Sequence, residues 1–222
     1  RTTASGNYSH AEGDSTTASG TGSHAEGSNT TASGAYSHAE GFRTTVSDAN
    51  SHAEGSNTTA NGINCHAEGS GTIAKVNASH AEGYKTEASS KYSHAEGEVT
   101  IAKGEAAHAE GIGTATTNAA EHAEGSYNKS TKNITIHSIG IGADNDNRKN
   151  AFEVSKTGDV YICNVGGYDG TNSQTDGIKT VQDEQDSEIT YYMGQEMSGK
   201  LLSFDEYIEK INWVSRADIE KI

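Results

Sequence analysis

The tetrapeptide His-Ala-Glu-Gly recurs nine times, with its histidines at His10, His24, His38, His52, His66, His80, His94, His108 and His122. Every step is 14 residues, without one insertion or deletion. So strict a period over more than half of the chain is the signature of a solenoid, in which each coil must lie in register on the one before. The repeat is an architecture before it is an active site.

Overlaying the coils shows what surrounds the anchor. Six residues after the histidine stands Thr in eight coils, from Thr16 to Thr114, with Asn128 in the last. Two residues further comes Ala18, Ala32, Ala60, Ala74, Ala88 or Ala102, replaced by Val46, Thr116 and Ser130. A turn comes next at Gly20, Gly34, Gly62 and Gly104, with Asp48 and Asn118 as replacements, and Ser precedes the histidine in six coils. In a strand, successive side chains point to opposite faces. The alternation predicts Ser, Ala and Gly of Ser-His-Ala-Glu-Gly on one face and His and Glu on the other. The second half of the coil predicts Thr, Ala and Gly facing in. Two short strands lined by such small residues close on each other only across a narrow gap. This explains a hydrophobic content of 32% and a mean hydropathy of -0.73, values that in an aperiodic chain would indicate disorder.

A roll this thin buries little apolar area at about 25 cal/mol per Å². The unvarying His and Glu face is therefore expected to meet other chains, most simply two further copies of itself about a threefold axis. Like charges one coil apart, ~4.8 Å, repel by roughly 3 kcal/mol at an effective dielectric of about 20. A column of imidazoles thus needs the glutamates interleaved. We expect His of one chain to hydrogen-bond Glu of another, fixing register as buried polar groups do in coiled coils.

The coil Ser-His-Ala-Glu-Gly-x-x-Thr-x-Ala-x-Gly resembles the Ser-Val-Ala-Ile-Gly-x-x-Ser-x-Ala-x-Gly coil of YadA-like heads. These are left-handed parallel β-rolls that trimerise in bacterial autotransporter adhesins. The likeness covers residues 1–130. The chain resembles phage and prophage tail-fibre proteins with His-Ala-Glu-Gly repeats more closely still. The segment His137-Ser-Ile-Gly-Ile-Gly142, Arg148-Lys-Asn-Ala-Phe-Glu-Val and Gly158-Asp-Val-Tyr-Ile resembles the stretch beyond the roll in those proteins. In the adhesin family the Val and Ile positions face the trimer axis. The resemblance thus implies an axial ladder of the nine histidines with Glu12, Glu26, Glu40, Glu54, Glu68, Glu82, Glu96, Glu110 and Glu124, ended by the apolar pair Ile139 and Ile141. Some relatives continue into a self-cleaving domain with a Gly-Ala-Asp-Tyr-Ala-Glu-Tyr motif, and none is found after Gly170 here.

Other chemistries for the same residues are weaker. Neutral imidazole is a good metal ligand, yet His-Ala-Glu has neither the His-Glu-x-x-His spacing nor a second His within the coil. A hydrolase lacks a unique cleft when its groups recur nine times. Paired threonines (Thr16-Thr17, Thr30-Thr31, Thr44-Thr45, Thr58-Thr59) suggest an ice-binding face, but the second Thr gives way to Ile73, Glu87, Ile101 and Ala115.

The formal charge of -15 per chain, about -45 for three copies, disfavours nucleic acid and anionic membrane surfaces as partners. There is no run of 18 apolar residues, no signal peptide and no proline. Arg1 falls in mid-coil, so a longer protein is expected. Cys65 and Cys163 read as free thiols. Beyond the roll, residues 131–170 read as a β-strand and hairpin cap or neck. It comprises a strand over Asn133-Ile-Thr-Ile-His137, a polar turn at Asp144-Asn-Asp-Asn147, and strands Ala151 to Ser155 and Val160 to Asn164. Residues 171–200 read as a polar linker. Residues 201–222 read as a helical or coiled-coil segment, with capping-box patterns at Ser203-Phe-Asp-Glu206 and Ser215-Arg-Ala-Asp218.

The expectation is an all-β solenoid, a homotrimeric left-handed parallel β-roll of 14-residue coils with a small β-region and a short helical end. Its expected role is structural and adhesive, without catalysis or cofactor, in a phage tail fibre on the virion or in a bacterial surface adhesin. Partners would be its own copies, neighbouring fibre proteins and a host surface receptor, for which a glycan suits the aromatic positions Tyr8, Tyr36, Phe42, Tyr84 and Tyr92. The competing readings are a tailspike-type glycan depolymerase, which needs two carboxylates at a set separation, and a metal-stabilised fibre.

Overall fold

The computed structural model describes residues 1–162 and 179–180. The chain divides into two compact units, Arg1–Ile178 and Lys179–Ile222. Of the second, only the two-residue strand Lys179–Thr180 is described. Cys163, Asn164 and the expected linker and helical segment lie outside the described residues.

The first unit is an all-β parallel solenoid of about ten coils. Most coils contribute a five-residue strand, from His10–Asp14 through His24–Ser28, His52–Ser56 and His80–Tyr84 to His122–Ser126, and one is shortened to His108–Ala109. Opposite each runs a two-residue strand such as Thr17–Ala18 or Thr59–Ala60. The short strands form one parallel sheet in sequence order and the long strands another. Register is kept residue for residue: His66 lies opposite His52 and His80, and Glu68 opposite Glu54 and Glu82. No slip is tolerated, because moving one strand by one residue would put His where Ala is buried.

The core between the sheets is the expected row of small side chains. Ala25, Ala39, Ala53, Ala67, Ala81 and Ala95 from the long strands and Ala18, Ala32, Val46, Ala60, Ala74, Ala88 and Ala102 from the short ones are completely buried. The threonine six residues after each histidine is buried beside them. The repeated Ser closes a turn: Ser23 Oγ donates to the Gly20 carbonyl at 2.8 Å and Ser37 Oγ to that of Gly34 at 2.7 Å. Cys65, standing for that Ser, is a buried free thiol whose Sγ lies 2.9 Å from the Val76 carbonyl oxygen.

Three expectations need correction. The glycine of His-Ala-Glu-Gly does not share the inner face with Ser and Ala. It is exposed and adopts φ between +99° and +106° in Gly13, Gly27, Gly41, Gly55, Gly69, Gly83, Gly97 and Gly111. The alternation breaks at a corner there. The paired threonines follow the alternation as predicted: Thr16, Thr30, Thr44 and Thr58 are buried and their successors look outward. The strand expected over Asn133 to His137 instead spans Thr135–Ile141, stacked parallel on His122–Ser126. In that register Ile139 does fall at the Glu position, but Ile141 pairs with Ser126, and His137 takes the His position. The end of the column is therefore His137 with Ile139, not the pair Ile139 and Ile141. The connection is one residue longer than in the repeat, fifteen residues from His122 to His137.

After this tenth coil, Asn150–Ser155 turns back antiparallel and Val160–Ile162 pairs antiparallel to it. The acidic cluster before them is the plain polar turn anticipated. Asp144 Oδ1 accepts from the Asp146 and Asn147 backbone amides and from Asn147 Nδ2, each at 2.9 Å. Among the described residues no helix is long and apolar enough to cross a membrane.

Candidate functional site

The face opposite the alanine row carries the repeat's only chemistry. Because each His repeats at an identical place in an in-register parallel sheet, the imidazoles stack face to face. From His24 to His137 neighbouring ring centroids are 4.6–5.1 Å apart and the planes 2–12° from parallel. His10 meets His24 edge-on, and Phe152 caps the other end edge-on to His137 at 5.8 Å. Sequence reasoning missed His137 as the tenth member and Phe152 as the lid. Phe152 pairs across the strands with Ile139, so the apolar pair at the far end is Ile139 with Phe152 and not Ile139 with Ile141.

Beside the imidazoles runs the glutamate row. It borders two shallow open grooves floored by the corner glycines, one along Glu12, Glu26 and Glu40, the other along Glu68, Glu82, Glu96 and Glu110. Contacts between the two rows form within a single chain. His80 Nε2 lies 3.6 Å from its own coil's Glu82 and His66 Nε2 3.6 Å from Glu68. Further along, imidazoles reach the preceding coil: His108 to Glu96 at 3.3 Å, His122 to Glu110 at 3.0 Å and His137 to Glu124 at 3.3 Å. Interchain contacts are thus not needed to bring His and Glu together. The side chains in the middle of the row remain about one third exposed, yet Nε2 of His38, His52, His66, His80, His94 and His108 is shielded and has no hydrogen-bond partner.

The charge state is set by this crowding. Burial, reinforced by neighbouring imidazoles, lowers the pKa of His38, His52, His80 and His94, so a charge on each is disfavoured. The glutamates alternate. Burial and hydrogen bonds to Glu54 and Glu26 push Glu40 up to about 7, and burial with a hydrogen bond to Glu54 raises Glu68. Glu26 and Glu54 are lowered, chiefly by the hydrogen bond each receives from Glu40. Lowered and raised carboxyl pKa values therefore alternate over four coils, from Glu26 to Glu68.

A raised carboxyl pKa gives a signed expectation. Folded Glu40 holds its proton more tightly than the unfolded chain does, so its contribution is present below pH 4.5 and is lost as pH rises through about 7. Glu40→Gln mimics the protonated form at every pH. It should melt with the parent at pH 4 and above it at pH 8.5, by on the order of 1 kcal/mol after allowance for solvent screening. Thermal melts by circular dichroism at the two pH values decide it; an equal offset at both would contradict the raised pKa.

Stacking also supplies what one coil lacks for metal binding, a second imidazole. Ligand atoms of His10, Glu12 and His24, of His38, Glu40 and His52, of Glu54, His66 and Glu68, of His80, Glu82 and His94, and of His94, Glu96 and His108 lie within 4.8 Å of one another.

The aromatic positions all stand outside the ladder. Tyr8 (96% exposed), Tyr36 and Tyr92 occupy the corner before the histidine with φ of 57–59°. Phe42 and Tyr84 are exposed at strand ends, with the Arg43 guanidinium 4.8 Å and the Lys85 ammonium 4.9 Å from their ring centroids. The same corner is left-handed in other coils at Asn50, Asn64, Ala78, Ala106 and Ala120, so the backbone there is set by the coil and not by the tyrosine. Compared with known proteins, the chain matches no family model and no curated protein.

Proposed function

We propose that the chain is a structural and host-attachment module of a fibre. In this reading three copies associate through their His and Glu faces, as YadA-like heads do through apolar ones. The corner aromatics Tyr8, Tyr36, Phe42, Tyr84 and Tyr92 face a host surface receptor, with a glycan as the ligand class. A phage tail fibre or a bacterial surface adhesin is the setting that suits it, with neighbouring fibre proteins at the ends of the roll. The observation that carries this is the column itself. A monomeric roll gains nothing from repeating a half-exposed imidazole and carboxylate row with shielded, unpartnered nitrogens in successive coils, because unsatisfied polar groups are costly. A facing copy would bring donors and acceptors at the same ~4.8 Å period.

The carboxyl row argues against the depolymerase reading. Its members recur identically in every coil, so no pair is set apart as the acid and the nucleophile or base that glycosidic cleavage requires. Mass in solution tests the assembly. Light scattering should give about 70 kDa rather than the 23.2 kDa of one chain. A folded monomer would overturn the reading. Release of reducing sugar from host polysaccharide would favour the enzyme instead.

A further inference from the structure

We infer that His94 is the centre of a binding site for one divalent transition-metal ion of the zinc type, completed by a carboxylate and a second imidazole from adjoining coils. The site lies within one chain and does not depend on how many chains associate.

His94 differs from its neighbours in the column. Nε2 of His38, His52, His66, His80 and His108 has a carboxylate within 4.0 Å. Nε2 of His94 is equally shielded from solvent, yet among the described residues neither a hydrogen bond nor a carboxylate within that distance reaches it. It is also the residue at which two candidate ligand groups overlap, His80, Glu82 and His94 on one side and His94, Glu96 and His108 on the other. The ring stacks at 4.6 Å on both neighbours. Four potential ligands therefore flank the His94 imidazole, whose Nε2 is unsatisfied.

The spacing of the flanking donors suits a small ion. On bonds of about 2.0–2.2 Å, tetrahedral ligand atoms stand roughly 3.3–3.6 Å apart. His80 Nε2 and Glu82 Oε2 are 3.6 Å apart, and His108 Nε2 and Glu96 Oε1 3.3 Å. Each such pair already has the bite of two ligands on one ion, and a tilt of the His94 ring out of the stack brings the third. Because both groups need His94, only one of them fills at a time, and the stoichiometry at this place is one ion per chain. Imidazole with carboxylate is the donor set of zinc, cobalt and nickel rather than of calcium, which takes six to eight oxygens. A cation here also offsets part of a formal charge of -15.

Cobalt(II) is the probe, since its visible ligand-field bands report coordination by nitrogen. Titrated into the full chain made without a histidine tag, it should give a saturable band that zinc displaces and excess calcium or magnesium does not. His94→Gln should weaken the tightest cobalt site by at least about tenfold. His122→Gln, which removes an imidazole bonded to Glu110 at 3.0 Å and outside every ligand group, should leave that site unchanged. Should His94→Gln fail to fold by circular dichroism, Glu82→Gln/Glu96→Gln keeps the imidazole column and carries the same expectation. A cobalt titration of the folded variant that superimposes on the parent's, or equal competition by calcium, overturns the site. Light scattering on the same samples reads the assembly separately, so a monomer that binds cobalt at His94 would refute the trimer and leave the metal site standing.

Discussion

Gly55→Ala should break the roll in two. Gly55 sits at φ +104°, and a Cβ there would stand 2.1 Å from the carbonyl oxygen of Gly69 and within 3.1 Å of that residue's carbonyl carbon and nitrogen. All three are backbone atoms fixed in the neighbouring coil, so no side-chain rotation relieves the clash. The left-handed conformation adds about 1–2 kcal/mol for any residue with a Cβ, and the total should exceed about 4 kcal/mol. A solenoid is held by nearest-neighbour interfaces, so the damage should localise between the coils of His52 and His66. Circular dichroism should show a lowered, broadened melt, and limited proteolysis a new cut near residue 55. A variant that melts within ~2 °C of the parent would refute this account of the corner. The tyrosines at the other corners make the contrast: Tyr8 and Tyr36 have φ of 57°, a left-handed conformation open to a residue with a Cβ, and their side chains are exposed.

Glu121→Ala should be the most damaging change at a side chain. Glu121 is 1% exposed and stands where other coils have Ser. Its Oε2 accepts from the backbone amides of Thr117 and Asn118 at 2.8 Å, from Asn118 Nδ2 at 3.0 Å and from Ser130 Oγ at 2.9 Å. Asn118 Nδ2 passes the connection on to the carbonyls of Thr131 and Thr135, and Asn128 Nδ2 bonds the Ala115 carbonyl and Ser138 Oγ. Truncation strands the buried Asn118 amide and the part-buried Thr117 amide and opens this network, at a cost of about 3–5 kcal/mol. Glu121→Gln, which keeps an acceptor, should lose about half as much. Hydrogen exchange should show the loss first in the amides of residues 117–135. Uniform loosening of the whole roll would contradict a local cap.

How far these features were legible differs by kind. The solenoid, its 14-residue coil and its alanine interior come from period and alternation alone, since register leaves one arrangement. Alternation failed at the corner glycine because it assumes an extended backbone, and φ near +104° is not one. The glycine's constancy in nine coils gave no signal, because the buried Ala two residues before it is equally constant. His137 is missed because Ser138-Ile-Gly-Ile-Gly142 by itself matches the Ser-Val-Ala-Ile-Gly coil, and that alignment sets Ile139 and Ile141 at the His and Glu positions. His137-Ser-Ile-Gly140 nevertheless has the repeat's order of His, small residue, variable residue and Gly. Glu121, Asn118 and Asn128 stood out as departures confined to the end of the repeat, but that they bond to one another required three-dimensional contacts. The orphaned nitrogen of His94 was invisible in sequence, where its His-Ala-Glu-Gly is identical to the rest.

Residue-for-residue pairing between coils also turns the repeat into a ruler. Any whole coil between His24 and His94 presents the same upper and lower surface, so removing or duplicating one leaves both ends able to seat on what remains. Each such event alters reach by about 4.8 Å and touches neither terminus. Unequal recombination within the repeats can thus adjust how far this module holds its tip from its base in fixed increments, while an indel of any other size throws every later side chain out of line.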